Sequence, residues 1–432
     1  MKYVVIIPAG GADKALSELD GLTPFEAADT PNLDRLARAG RIGTAATTPK
    51  GFGAGPDVCV MDVLGYEPGK YHTGWASLDA AGMGIESGAD DWVFRLDLVT
   101  VGSDGTDQDG LMLDHSAGAI SDSEAGVLFE GLAEYWAAQE PELAKDFALT
   151  PGVGYRSILV DRSDRDFSSV ECTAAHEILD RAWGAALPRG GKRDEGVVLS
   201  RLMLLSREFL SGHEVNQARI EQGLRPANMA WIWGQGRGQG TRPELPSFES
   251  RFGLKGGMIF SVDLMGGIAK AIGWDLIECS GLTSHQETDY AKLGRATVES
   301  LARYDIVCCH IEAPAEASHQ ADTMTKVASL EAIDREIIGP VLKALERYGD
   351  PEHDQDAEGW RVLVLPDHYT LCSTRKHVAT AVPFAMGGVW VRSVVPRVLT
   401  ERQAGEADLH IEPGADLMEY FLYSGLVRVD TK

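Results

Sequence analysis

The sequence is poor in the features that mark several large functional classes. Basic residues are scarce: 40 Lys and Arg stand against 65 Asp and Glu, a formal net charge of −25. A surface that acidic repels polyphosphate and anionic lipid, which excludes nucleic acid and a polybasic membrane anchor as partners but leaves room for a local basic pocket holding a small anion. The cysteines are few and scattered (Cys59, Cys172, Cys279, Cys308, Cys309, Cys372) and none belongs to a Cys-x-x-Cys pair. A disulfide framework is therefore not expected, and a reducing, cytoplasmic location is. No apolar run approaches the roughly 18 residues of a membrane span. The run Tyr3–Ile7 is closed by Pro8, too early for a signal peptide. There is no GxSxG elbow and no P-loop. The Gly-rich stretches 234–238 and 236–240 open no helix, which argues against dinucleotide binding.

What is there is an ordinary globular composition, 44% hydrophobic and 24% charged over 432 residues. That length suits about two to three domains, or one large α/β unit with an insertion. Short β-branched or apolar runs at 3–7, 229–233, 257–262, 305–311 and 361–365 alternate with helical patterns, notably 322–345. Thr30-Pro31 starts a helix that Gly40 ends. Strands alternating with helices predict a mainly parallel, doubly wound α/β sheet with polar groups gathered at its carboxyl edge. The stretch 75–221 differs, with runs such as 93–101 and 157–160 between long polar loops. It is expected to be an inserted α+β domain, leaving 1–74 and 222–432 as the core.

The candidate chemistry lies at strand ends. Asp367-His368 follows the run 361–365, His377 comes nine residues later, and His319 follows the polar loop after 305–311. Carboxylate and imidazole at such loop tips can ligate Zn²⁺ or Mn²⁺. For an anion, the candidate cations are Arg95, Arg156, Arg181, Arg237 and Lys255, with Asp97 and His115 as further polar groups of the insertion.

Many collinear words carry a resemblance. They include Thr30-Pro31-Asn32-Leu33-Asp34, Leu64-Gly65-Tyr66, Ala80-Ala81-Gly82-Met83-Gly84, Pro226-Ala227-Asn228-Met229, Glu244-Leu245-Pro246-Ser247-Phe248, His310-Ile311-Glu312-Ala313-Pro314 and Leu365-Pro366-Asp367-His368. Together they resemble the archaeal-type cofactor-independent phosphoglycerate mutases of the alkaline phosphatase superfamily. The resemblance implies an alkaline-phosphatase-like α/β core with an inserted domain that grips substrate, two divalent metals, and a serine that is transiently phosphorylated. His319, Asp367, His368 and His377 match the family's metal ligands.

The departures fall on the chemistry. Ala9 stands where the family has a metal carboxylate, Pro56 where it has the serine, and Ala315 where it has a second carboxylate; Trp75 replaces an arginine. Proline has no hydroxyl and alanine no ligand atom. The remaining ligands imply one divalent metal, Zn²⁺ or Mn²⁺, or none, unless Asp57, Glu312, Glu316 or Asp322 swings in. The leading expectation is a diverged member that has lost serine-dependent phosphoryl transfer and handles a small anionic metabolite, a carboxylate or phosphate, in the interdomain cleft. His319, His368 and His377 would then act as general acids and bases. A non-catalytic binding or regulatory pseudoenzyme is the first alternative. The second is a 2,3-bisphosphoglycerate-independent phosphoglycerate mutase or phosphatase rescued by neighbouring residues. Whether the chain is an enzyme, and its oligomeric state, stay open at this level.

Overall fold

The structure, a computed structural model, describes residues 1–102, 110–238, 245–279, 287–393 and 395–424; Gln239, Gly240 and Glu244, which fall in stretches quoted above, lie outside the described residues. The chain divides into two compact units, Met1–His72 with Glu244–Lys432, and Thr73–Pro243.

The first unit is built on an eight-stranded sheet. Its order is Asp275–Leu276, Gly256–Ile259, Ile306–Ile311, Lys2–Pro8, Trp360–Val364, Val382–Gly388, Arg41–Ala45 and His410–Ile411. The first five strands run parallel, and Val382–Gly388 is antiparallel to both its neighbours. The central strand KYVVIIP is buried at all seven positions. That explains why it is apolar without alternation: helices cover both faces of a parallel sheet. Each Val or Ile so buried stabilises the fold by roughly 1.5–3 kcal/mol relative to exposure. The helix Pro31–Ala39 starts at Pro31 as expected, but Thr30 makes no side-chain cap. Asp334 takes that role, accepting from the amides of Asn32 at 3.2 Å and Leu33 at 2.7 Å. Asp334 opens a π-helical turn, Asp334–Ile338, in the long helical run from Thr323 to Leu345, and that widening aims its carboxylate at the neighbouring helix.

The second unit is antiparallel. Strand Trp92–Val101 pairs with Arg156–Asp161 on one side and Met229–Arg237 on the other, and Phe147–Pro151 extends the sheet. Helices Asp122–Gln139 and Glu195–Ser211 bury Leu128, Phe129, Leu132, Trp136, Leu199, Leu202 and Met203 against it. Helix Trp75–Met83 covers the other face through Ala76 and Ala80, beside Val93 and Ile158.

The return to the first unit therefore comes at 243–244 rather than 221–222. The apolar run 229–233 belongs to this antiparallel sheet, not to the parallel one. A continuous apolar run shows that a strand is buried, not which sheet it joins. Among the described residues no helix is long and apolar enough to cross a membrane.

Candidate active site

Three adjacent parallel strands of the first unit carry the candidate residues at their carboxyl ends, where an α/β sheet leaves room for a ligand. Strand Lys2–Pro8 feeds Ala9-Gly10, strand Ile306–Ile311 feeds Glu312 and the short helix Ala313–His319, and strand Trp360–Val364 feeds Asp367-His368. The turn after the first strand is tight. Gly10 has φ +57, and a Cβ there would lie 2.3 Å from Thr370 Oγ1 and 3.0 Å from the Ala315 Cβ. Only glycine fits both the backbone and the space.

Asp367 is fully buried. Its Oδ1 accepts from the amides of Gly10 and His368, both at 2.9 Å. Its Oδ2 has no hydrogen-bond partner. It faces His368 Nε2 at 3.4 Å and His310 Nε2 at 3.8 Å. Burial works to raise the carboxyl's pKa, but the two imidazoles and the Gly10 amide outweigh it and hold the group well below the usual carboxylate range. Burial also pushes His368 down, against the pull of Asp367, which favours a neutral ring. The Nδ1 of that ring lies 3.1 Å from Thr370 Oγ1.

His319 Nδ1 donates to the Arg375 carbonyl at 3.1 Å, so its Nε2 keeps a lone pair. With the His319 ring neutral, that lone pair faces His377 Nε2 at 3.0 Å and accepts the proton carried there. His377 is placed by the antiparallel hairpin in which it lies opposite Thr370. Its ring also packs on His368 with centroids 4.1 Å apart. The structure thus brings His319, His368, His377 and Asp367 together.

It brings no full cation cage. Ala9 and Ala315 are buried methyls, Pro56 is buried at the start of helix Pro56–Val63, and among the described residues no group of three or more His, Cys, Asp or Glu is disposed to hold a metal ion. Of the four neighbours named as substitutes, Asp322 caps helix Thr323–Ile333 and also accepts from Thr325 Oγ1. Glu316 accepts from Gln320 at 3.0 Å. Asp57 lies 2.6 Å from His72 Nε2. Glu312 lies 3.9 Å from His310 Nδ1. The two-metal arrangement implied by the resemblance does not fit these residues.

Several polar residues here were not legible as site residues in the sequence. His310 sits inside a fully buried strand, and neither ring nitrogen makes a hydrogen bond. Its signals were a histidine within an apolar run and its place at the head of the word His310-Ile311-Glu312-Ala313-Pro314. Lys326 is completely buried and donates to the carbonyls of Thr370 at 2.7 Å and Ala12 at 3.1 Å and to Asp13 at 3.2 Å. It ties the loop after the first strand to the hairpin that carries His377. The Asp57–His72 pair joins residues fifteen positions apart in the chain, a contact that only the fold creates.

The candidate anion-binding cations have varied placements. Arg95 is buried and donates to Asp79 at 2.8 Å and Asp97 at 3.2 Å, so its charge is answered inside the second unit. Arg156 is half-buried over the Tyr155 ring, opposite Asp97 across the ladder. Around them gather His115, His176 and Trp233, with His115 and His176 centroids 6.3 Å apart. Arg181 is exposed. Arg237 lies 4.4 Å over Trp92, on the face of that strand opposite Arg95. Lys255 is a correction: it precedes strand Gly256–Ile259 and pairs with Asp275, at the amino edge of the parallel sheet. The site occupies the carboxyl edge, so Lys255 belongs to no anion pocket there.

Comparison with known proteins settles the relationship. The family model for 2,3-bisphosphoglycerate-independent phosphoglycerate mutase matches residues 37–216. A protein of that name from Methanothrix thermoacetophila is 38% identical over 98% of this chain and 100% of its own length. A second, from Methanothermobacter thermautotrophicus, is 37% identical over 98% of this chain and 97% of its own. A probable mutase from Geobacter sulfurreducens is 36% identical over 98% and 100%. Among solved structures, a protein from Pyrococcus horikoshii superposes with a TM-score of 0.72 at 24% identity, covering 98% of this chain and 96% of that one. A cofactor-independent phosphoglycerate mutase from Thermoplasma acidophilum gives 0.53 at 22%, covering 98% and 99%. These two show the fold. The full-length relatives overturn the expectation of a diverged protein without phosphoryl transfer, and they favour the mutase alternative over a pseudoenzyme. With relatives of that identity along almost its entire length, the chain belongs to the 2,3-bisphosphoglycerate-independent phosphoglycerate mutase family.

Proposed function

We propose that this chain is itself a 2,3-bisphosphoglycerate-independent phosphoglycerate mutase, moving a phosphoryl group between the 2- and 3-hydroxyls of glycerate. The observation that carries the reading is the 36–38% identity to proteins of that name over 98% of the chain. The retained cluster supports it. His319 and His377 share a proton between facing Nε2 atoms, a pair suited to passing one proton between two positions. Asp367 holds an unpartnered buried oxygen beside His368. In the second unit, Arg156 with His115 and His176 offers cationic and hydrogen-bonding groups for a carboxylate or phosphate. The cation requirement is reduced to one Zn²⁺ or Mn²⁺, or none, because the carboxylates of two positions are replaced by Ala9 and Ala315.

The test is interconversion of 2- and 3-phosphoglycerate by pure recombinant protein, with elemental mass spectrometry on the same sample. Turnover that falls by about 10²-fold or more in Asp367→Asn or His319→Gln supports the reading. Turnover indistinguishable from the buffer blank, with Zn²⁺ or Mn²⁺ added or withheld, overturns it. Two full equivalents of bound metal would contradict the reduced cage.

A further inference from the structure

A mutase of this family needs a group to hold the phosphoryl in transit, and Pro56 has replaced the serine that the resemblance assigns to that task. We propose that His72 is the phosphoryl acceptor in this chain, oriented and charge-stabilised by Asp57. The proposal rests on the mutase reading above and names the residue that would make it chemically possible.

Four observations carry it. Asp57 immediately follows Pro56, in the first turn of helix Pro56–Val63. The contact between Asp57 Oδ2 and His72 Nε2 is 2.6 Å, short enough for a charge-assisted hydrogen bond. Both side chains are shielded from bulk water, at 8% and 15% exposure, so the pair is not a solvated surface contact. One thiol, that of Cys59, feels both Asp57 and Asp367. The Cys59 thiol, held by Thr48 at 3.3 Å, is pushed up mainly by burial but also by the negative charges of both Asp367 and Asp57. Thr47, on the same loop, donates to the Asp367 carbonyl at 2.6 Å.

The hydrogen bond also settles which nitrogen can react. A carboxylate only accepts, so His72 Nε2 carries a proton, and in the neutral ring the lone pair sits on Nδ1. Nδ1 makes no hydrogen bond to any described residue, and the Phe52 ring meets the imidazole edge-on with centroids 6.0 Å apart. This is the arrangement of a nucleophile whose partner stabilises the cation that forms. In the first half-reaction Nδ1 attacks phosphorus of 3-phosphoglycerate. The P–N bond forms, the P–O3 bond breaks, and O3 takes up a proton from water. Asp57 then faces an imidazolium-like ring. In the second half the 2-hydroxyl attacks phosphorus, the P–N bond breaks, Nδ1 recovers its lone pair, and the proton from O2 balances the one taken by O3. No co-reactant is consumed.

The other nearby acceptors serve less well. Cys59 is buried and its thiol is held neutral by that burial. Thr48 has a hydroxyl, but it meets the Cys59 thiol rather than a base.

The experiment uses the full chain and ³²P-labelled 3-phosphoglycerate, quenched and split into acid and alkali treatments. A phosphohistidine is lost in acid and survives alkali. A phosphothreonine survives acid, and an aspartyl phosphate is lost in alkali. The expected result is an acid-labile, alkali-stable label mapped to His72 by mass spectrometry. The label should vanish in His72→Asn and form about 10–10³-fold more slowly in Asp57→Asn. An acid-stable or alkali-labile label, or mutase turnover in a folded His72→Asn protein within about twofold of the parent, overturns the proposal. Phosphoramidate separates this failure from failure of the mutase reading, since it can phosphorylate an imidazole without any glycerate. If 3-phosphoglycerate gives neither label nor turnover but phosphoramidate labels His72 and not His72→Asn, the acceptor stands and the substrate reading falls. If neither donor labels His72, the acceptor falls. Because the label chemistry is read on the parent protein, the result does not depend on any variant folding.

Discussion

Each unit buries a cation among carboxylates beside its candidate residues, and the two do so differently. Lys326 in the first unit has three acceptors, one of them the Asp13 carboxylate, and Asp13 is itself held by the amides of Cys372 at 2.9 Å and Lys14 at 2.7 Å. Arg95 in the second unit serves two carboxylates, Asp79 and Asp97, and its Nε has no partner. Burial works against both charges. It wins at Lys326, whose pKa is lowered, and loses at Arg95, where Asp97 and Asp79 raise it. The lysine is a structural tie whose partner keeps other donors. The arginine neutralises a pair of acids that would otherwise face each other.

That contrast sets the largest expected effects. Removing one partner from a buried ion pair costs about 3–5 kcal/mol because an uncompensated charge stays behind. Arg95→Met should lie at or above the upper end, since two carboxylates remain, although Trp233 Nε1 still donates to Asp97 at 2.7 Å. Lys326→Met should lie near the lower end, because Asp13 keeps its two amide donors. Urea denaturation of both variants measures the difference. Equal losses would break the comparison, and a larger loss at Lys326 would invert it.

A carboxylate with no cation sharpens the same point. Asp62 is 1% exposed, its Oδ2 has no hydrogen-bond partner, and the charges that act on it are those of Asp416 and Glu67. Burial first, then those two acids, raises its pKa to about 7. A folded pKa above the unfolded value means that the native state binds the proton more tightly. The contribution of Asp62 to stability is therefore fully present below about pH 4, declines as pH rises toward 7, and is lost above it. Asp62→Asn removes the charge and keeps the shape. It should stabilise the protein by about 2–3 kcal/mol at pH 8 and by little at pH 4, read from thermal melts at both pH values. An equal gain at both would mean that charge is not the cause.

The sequence exposes the parts of this molecule that local pattern determines. The run 3–7 and the Pro366-Asp367-His368 turn could be placed at the carboxyl edge of a parallel sheet because strand, turn and polar tip are contiguous. His319 and His377 needed the family words as well, since lone histidines in loops say little. What escaped depends on tertiary neighbours. Met229-Ala230-Trp231-Ile232-Trp233 is apolar enough for either sheet, and only its pairing with strand Trp92–Val101 assigns it. Lys255 has the residue type and loop texture of an anion ligand, but whether a residue stands before or after its strand decides which edge it occupies. Asp57 and His72 have no spacing rule that joins them. Arg95 illustrates the reverse case: its charge was legible, and the two acids that occupy it were not.

Glu401 gives the smallest effect and the finest test of the Lys326 region. Its carboxylate accepts from Thr23 Oγ1 at 2.5 Å and from the Asp13 amide at 3.2 Å, yet burial raises its pKa to about 7 despite those bonds and the nearby Lys326 charge. As with Asp62, the raised value means stability present below about pH 4.5 and lost as pH climbs to 7. Here, unlike at Asp62, the charged form retains donors, and Gln can accept only part of what the carboxylate accepts. Glu401→Gln should therefore recover about 1–2 kcal/mol at pH 8, less than Asp62→Asn, and flatten the decline between pH 4.5 and 7. In a Lys326→Met background the Glu401 carboxylate loses its nearby cation, so the gain from Gln should grow. If it stays the same in both backgrounds, the two groups are not electrostatically coupled, and the tie at Lys326 consists only of its three direct bonds.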